Sequence, residues 1–316
     1  MKMIIHSAIV PSDLALRRLD QVVAIMFPQY SRSRLQQWIE SGELTVDGQR
    51  QKSKSKVPLG VKIQINATPD VTHHEAESIP LDIVFEDPSI LIINKPDGLV
   101  VHPGAGNQTG TLLNGLLHYC PDLEGIPRAG IVHRLDKNTT GLMVVAKTLE
   151  SQNHLVKQLQ SREVSRIYEA VVYGNITLTG KVDAPIGRHP QTRIKMSIQQ
   201  DGKEAITNYR ALQAFKSHTH LELSLETGRT HQIRVHMRHI GHPLVGDPAY
   251  GGTFKIPGDK PDFRLVECLR NFPRQALHAR KLSFQHPVEE EMVKFEVPLP
   301  EDLLTLLELL NQNERS

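Results

Sequence analysis

A carboxylate presented on a loop between two apolar runs can do chemistry without a cofactor, and Asp136 is placed in that way. It lies in the run His133-Arg134-Leu135-Asp136-Lys137-Asn138-Thr139-Thr140, with Ile131 and Val132 before it and Leu142 to Ala146 beyond Gly141. Asp, Asn, Thr and Gly between β-prone residues read as a loop between strands, where side chains are offered to a ligand. A carboxylate there can take a proton, or add to an electrophilic carbon and leave again. Asp136 can equally be a turn former, with Thr139 and Thr140 making local hydrogen bonds. Two further polar clusters stand out, Arg166-Ile167-Tyr168 and the run from Gly228 through Arg229, Thr230, His231, Gln232, Ile233, Arg234 and Val235 to His236. Helical spacing puts Arg234 and Arg238 on one face with His231 close by, which suits an anionic partner.

Patterns for metal or nucleotide binding are poor, and neither a metal nor a cofactor is expected. His231 and His236 are five residues apart, wrong for sharing an ion on one helix, and His73-His74-Glu75 lie on a segment without periodicity. Gly104 to Gly110 is GxGxxxG and lacks the Gly-Lys-Ser/Thr ending of a phosphate loop. Cys120 and Cys268 are the only cysteines, with no CxxC, so neither a disulfide framework nor a zinc site is expected and a reducing cytosol is the default.

The elements that must position these groups fit a soluble chain of one large and one small domain. The 316 residues are 39% apolar and 23% charged. No run approaches the roughly 18 apolar residues of a membrane span, and MKMIIHSAIVPSD lacks the features of a secretory signal. Net charge is only +2, but residues 1–60 hold nine Lys/Arg against five acids, and residues 186–216 hold six against two. Such segments suit a polyanion.

Residues 14–27 carry Leu16, Leu19, Val22, Val23 and Met26 at helical spacing. Ser31 can cap a second helix with Leu35, Trp38 and Ile39 on one face and Gly42 past its end. Leu44 to Gly48 reads as a strand entering a turn, and Val57 to Ile65 as a strand pair interrupted by Gly60. Residues 66–79 read as a linker. Beyond it, Ile83 to Phe85, Ile90 to Ile93 and Tyr168 to Val172 read as strands, with helices over Thr111 to Tyr119 and 150–161. Residues 220–227 alternate strictly, and Thr230 can cap a helix whose core face is Ile233, Met237 and Ile240. Leu282 to Phe284 and Val293 to Val297 read as strands, and Glu301 to Leu310 as a terminal helix. Strands outnumber helices without βαβ alternation, which favours an α+β fold with a mixed, largely antiparallel sheet.

The N-terminal module resembles the S4 RNA-binding domain, on Arg18-Leu19-Asp20, Ser31-Arg32-Ser33-Arg34-Leu35, and Gly42 followed by Val46-Asp47-Gly48. That likeness implies RNA contact through Arg32 and Arg34, with Lys52, Lys54 and Lys56 nearby. Residues 81–300 resemble the RluA family of pseudouridine synthases. The match rests on His133 to Leu142, Tyr168-Glu169-Ala170 and Gly228 to His236, with Lys95-Pro96, Pro185-Ile186-Gly187-Arg188 and Gly246 to Gly252 in support. Arg166 stands where that family often has Lys.

The resemblance implies an S4-like domain over 14–66, a linker over 67–79 and a catalytic domain over 80–316 with a central cleft. It implies isomerisation of a uridine in RNA, with large-subunit ribosomal RNA or a pre-ribosomal particle as substrate. The N1–C1′ bond is cut, the base rotates, and C5 joins C1′. Asp136 is implied as the essential carboxylate, Arg234 as its partner, and Tyr168 as the aromatic residue that stacks on the target base and as a candidate for taking the C5 proton late in the reaction. Arg134 is implied to fill the space left by the flipped base, which costs a few kcal/mol to unstack, and His133 to bind substrate beside it. A monomer in the cytoplasm is expected. Attack at C1′, attack at C6 and proton removal from C2′ all remain open. So do two other classes, a non-catalytic RNA-binding or ribosome-assembly protein and a glycosidase, though the latter normally needs two carboxylates.

Overall fold

Alternation in two short segments, Ile4–Ile9 and Lys62–Ala67, turns one face of each toward a pair of helices and builds the first of two compact units, Met1–His73. The computed structural model describes residues 3–28, 30, 32–67, 74–104, 106–192, 194–251 and 262–315. Strands β1 (Ile4–Ile9), β2 (Leu44–Val46) and β3 (Lys62–Ala67) form an antiparallel sheet in the order β1-β3-β2. Helices α1 (Leu19–Met26) and α2 (Arg32–Ser41) bury Leu19, Val22, Val23, Leu35, Trp38 and Ile39 with Ile63 and Ile65 of β3. Gly42, at φ 84°, ends α2 in the left-handed region that glycine takes without strain.

Several expectations change here. The first helix starts at Leu19, because Leu16 before it takes a left-handed backbone, φ 62°, and is exposed. Val57 to Ile65 is not a strand pair: only β3 forms, and Val57 is buried in the connection before it. The apolar N-terminal patch, unassigned above, is edge strand β1. Ser31, His73 and residues 68–73 of the expected linker lie outside the described residues.

The second unit, His74–Ser316, is one long sheet with helices against it. Its strands are β4 (Ile83–Glu86), β5 (Ile90–Lys95), β6 (Thr140–Ala146), β7 (Ser165–Tyr173), β8 (Gly180–Asp183), β11 (Ile206–Ala214), β12 (His218–Leu225), β13 (Leu277–Gln285) and β14 (Met292–Glu296). A separate ribbon pairs β9 (Ile186–Arg188) with β10 (Met196–Ile198). The helices are α3 (Leu112–Tyr119), α4 (Leu149–Gln160), α5 (Gln232–His239), α6 (Phe263–Asn271) and α7 (Glu301–Arg315). Sheet order is β4-β5-β6-β13-β7-β12-β11-β8, with β14 also on β13. β6 and β13 run parallel and the other strand pairs antiparallel, so the α+β, largely antiparallel reading holds.

β6 shows how the sheet is held. All seven of its residues are buried, as a central strand covered on both faces requires. Met143 and Val145 face a layer with Leu113 and Leu116 of α3, while Leu142, Val144 and Ala146 face one with Leu155 of α4 and Phe284 of β13. A capping box fixes α3, with Asn114 Oδ1 accepting from Thr111 N at 3.0 Å. Gly141 has φ 111°, and a Cβ there would stand 2.3 Å from the Ala279 carbonyl oxygen, so β6 and β13 could not close at the mouth of the site. Residues 180–214, unassigned above, supply β8 to β11, and α6 was likewise not foreseen.

Candidate active site

The loop before β6, the middle of β7 and the start of α5 meet at one end of this sheet and bound a cleft of about 770 Å³. Asp136 closes a tight turn, its carbonyl accepting from Thr139 N at 3.0 Å. Neighbours pin the turn from three sides. Gln275 Nε2 donates to Thr139 Oγ1 at 2.9 Å, and Thr140 Oγ1 lies 2.8 Å from His278 Nδ1. Lys95 Nζ, fully buried, donates to the carbonyls of Lys137 (2.8 Å), Pro96 (2.6 Å) and Leu99 (3.0 Å). Three acceptors match the three donors of an ammonium. Burial pulls the Lys95 pKa down to about 7, against the opposing pull of Asp97 and Asp136.

Asp136 and Arg234, 98 residues apart, are in contact: Arg234 Nη1 donates to Asp136 Oδ2 at 2.9 Å. The guanidinium is anchored from behind. Its Nε and Nη2 donate to Asp247 Oδ2 and Oδ1 at 2.7 and 2.9 Å, and Asp247 Oδ1 also accepts from Ala249 N and Tyr250 N. Burial disfavours the Arg234 charge, but its bonds to Asp247 and then the charge and bond of Asp136 outweigh that and hold its pKa up. Burial likewise works against Asp247, and the Arg234 guanidinium overrides it and holds the carboxyl below its usual range. Arg238 does not join this group. It is exposed at the far end of α5 while Arg234 turns inward, so the pair expected to converge on one anion does not.

His231, not Thr230, is the residue before α5, and it sits in the left-handed region at φ 57° without a side-chain cap bond. The helix start is tied by Gln232 instead, whose Oε1 accepts from Arg229 N and Thr227 Oγ1. Tyr250 OH accepts from Met196 N at 2.8 Å and lies 2.7 Å from His231 Nδ1. His231 Nε2 lies 3.9 Å from Asp136 Oδ1.

Tyr168 lines the cleft from β7, and burial pushes its phenol pKa up. Arg166, two residues earlier on the same strand face, lines it as well. Arg134 is exposed at the rim. His133 also faces the cleft, but its Nε2 accepts from Val144 N at 3.1 Å and burial takes its pKa down to about 3. It is neutral and occupied with the backbone of β6. Six arginines line the cleft, Arg128, Arg134, Arg162, Arg166, Arg229 and Arg234, against the carboxylates Asp136 and Glu226. Such a positive trough suits a polyanionic strand. Among the described residues no three His, Cys, Asp or Glu come together to hold a metal ion.

Arg32 and Arg34 belong to the first unit. Arg32 Nη2 donates to Asp20 Oδ2 at 2.8 Å, and Arg18 grips the same carboxylate through two bonds of 3.0 Å. The Asp20 side chain is covered, and although burial opposes its charge, Arg18 and Arg32 take its pKa down to about 2. The Arg34 guanidinium lies 5.9 Å from the Trp38 ring centre. Lys52, Lys54 and Lys56 are exposed.

Sequence reasoning assigned no role to Asp247, Tyr250 or Lys95, and gave His231 only a place beside the arginines. Asp247 precedes Pro248 and so reads as a turn residue, and nothing local shows that it faces an arginine. The better signal was Lys95, a lysine closing the apolar strand Ile90 to Ile93.

Comparison with known proteins gives a consistent result. Residues 89–239 match the family model described as RNA pseudouridylate synthase, and residues 17–63 match the S4 domain. A relative named Ribosomal large subunit pseudouridine synthase D, from Pseudomonas aeruginosa, is 56% identical over 99% of this chain and 98% of its own length. The protein of the same name from Escherichia coli K12 is 53% identical over 93% of this chain and 90% of its own. Among solved structures, Human RNA Pseudouridylate Synthase Domain Containing 4 aligns with a TM-score of 0.57 at 27% identity, covering 73% of this chain and 93% of that one.

Proposed function

We infer the reaction from membership: the chain belongs to the RNA pseudouridylate synthase family, and it isomerises uridine in RNA to pseudouridine. The substrate we assign is large-subunit ribosomal RNA, free or in a pre-ribosomal particle, in the cytoplasm and by a monomer. The names of the relatives and the basic N-terminal unit support the choice of ribosomal RNA.

The chain of contacts Asp136–Arg234–Asp247 carries the mechanistic reading. A reacting carboxylate must be ionised and aimed. Arg234 aims it, because Asp247 fixes the guanidinium before any substrate arrives. Asp136 then opens the reaction at C1′, at C6 or by taking the C2′ proton. The N1–C1′ bond breaks, the base turns, C5 bonds to C1′, and the C5 proton is passed on. Tyr168, kept neutral by its burial, is suited to stacking on the uracil more than to removing a proton. That leaves the C5 proton to the freed Asp136 carboxylate. Arg134, exposed at the rim, takes the gap left by the flipped base. Arg32, Arg34 and the exposed lysines of the S4-like unit bind backbone phosphates.

Mapping pseudouridines in RNA from cells with and without this protein, and with it as Asp136→Asn, tests the reading. Sites that vanish without the protein and stay absent with Asp136→Asn support it. Sites restored by Asp136→Asn would leave only the RNA-binding alternative.

A further inference from the structure

Three arginines are buried among the described residues, and two of them have an aspartate. Arg234 grips Asp247 and Arg274 grips Asp302, each through two bonds. Arg166 has none. Its exposure is 8%, its Nε is wholly buried without a partner, and no hydrogen bond or ion pair from a described residue reaches it. An uncompensated guanidinium in that setting is costly, and a fold normally pairs it or leaves it in water. Arg166 instead lines the open cleft.

The surroundings keep room for that charge. A Cβ at Gly228 would stand 2.7 Å from Arg166 Nη1. Arg162, also on the cleft wall, is neutralised by Glu204 and Glu226. Arg166 and Tyr168 point to the same side of β7, about 7 Å apart along the strand.

We propose that Arg166 is the receptor for one phosphodiester of the RNA backbone, bordering the uridine that stacks on Tyr168. The proposal rests on the pseudouridine synthase reading. RNA carries formal charge only at its phosphates, and the planar fork of a guanidinium matches two phosphate oxygens. The departing uracil also becomes negative when N1–C1′ breaks, but only in passing. The cost of burying Arg166 is present in the free enzyme, and an anion held throughout the complex answers it better.

The test uses a short RNA containing a uridine that the wild-type enzyme converts. It is made with natural phosphates and with a neutral methylphosphonate on either side of that uridine. Binding is measured in the Asp136→Asn background and single-turnover rates in the wild-type background, for Arg166, Arg166→Lys and Arg166→Met. Arg166→Met should raise Kd about 10- to 100-fold and flatten the dependence of log Kd on log salt by about 0.7. The rate at saturating RNA should fall by less than Kd rises. One methylphosphonate should cost the Arg166 enzyme the same affinity and cost Arg166→Met nothing more. Arg166→Lys should recover part of the affinity. Free Arg166→Met should melt higher than wild type, since a binding residue is maintained at the expense of stability.

A lower melting temperature with Kd and salt slope unchanged would make Arg166 a packing residue and overturn the proposal. So would unchanged Kd with a large loss of saturated rate, which assigns the guanidinium to the departing base. Additive losses from the variant and from each methylphosphonate would place the phosphate elsewhere. Conversion by the wild type alongside any of these defeats only this proposal, whereas no conversion of any uridine defeats the reading beneath it too.

Discussion

The two units of this chain each contain a cluster of aspartate and arginine, built in opposite proportions. In the first, a single covered carboxylate, Asp20, is gripped by Arg18 and Arg32, whose side chains are 42% and 55% exposed. In the second, a single buried guanidinium, Arg234, lies between Asp247, which is inaccessible, and Asp136, which opens on the cleft. Surplus arginine at a surface stays hydrated and can exchange water for phosphate. Surplus carboxylate in a cleft is held in place by a partner that is itself already fixed. The same two residue types thus leave arginine open to water in one unit and a carboxylate open to the cleft in the other, according to which of them is in excess and which is buried.

The largest effect that could break this comparison is on turnover. Asp136→Asn keeps the shape and one hydrogen bond to Arg234, and should lower single-turnover pseudouridine formation by about 10⁴-fold or more. Melting temperature and RNA affinity should stay near wild type. Turnover within a few-fold of wild type would sink the assignment. Asp247→Asn comes next. It weakens the anchor of a buried guanidinium and should cost about 3–5 kcal/mol in urea unfolding, the range for breaking a buried pair. It should also slow catalysis, since Arg234 would no longer be held toward Asp136.

Asp20→Asn sharpens the contrast, because its arginines can swing into water. A loss of about 1–2 kcal/mol is expected, with RNA affinity unchanged or improved as Arg32 is released. A cost equal to that of Asp247→Asn would show that exposure of the partners does not matter. The smallest effect is a pH dependence. Asp20 titrates near 2 in the fold against an ordinary 3.8, so its stabilising contribution is fully present above about 3.8 and is lost as pH falls through about 2. Melts of the wild type between pH 5 and pH 2 should therefore lose more stability than those of Asp20→Asn. Parallel curves would refute it.

Legibility in the sequence followed the range of the interaction. The buried face Leu35, Trp38 and Ile39 of α2 and the alternation of β12 are written in local periodicity, and both could be read. Strands β8 to β11 could not, because β11 is largely exposed along its second half and shows no run of apolar residues. The N-terminal patch revealed itself as a strand only through its pairing with β3, nearly sixty residues away. At the site, Asp136 was visible as a loop carboxylate, but its contact with Arg234 came from family likeness and not from spacing. Arg234 and Arg238 show the limit of that kind of reading. Helical spacing gives them one face, and only the position of Asp247 decides that the first turns inward.

The position of β13 has a consequence for the order in which the protein is made. This strand lies between β6 and β7, so the sheet that brings the loop of Asp136 beside Tyr168 cannot close until residue 285 has been synthesised. The first unit is complete at residue 73. At about 5–20 residues per second, roughly 10–40 s separate the two events. During that interval the nascent chain carries a finished RNA-binding module and an unassembled catalyst. A growing chain can therefore hold RNA well before it can modify any, and the last third of the polypeptide acts as a timer on its activity.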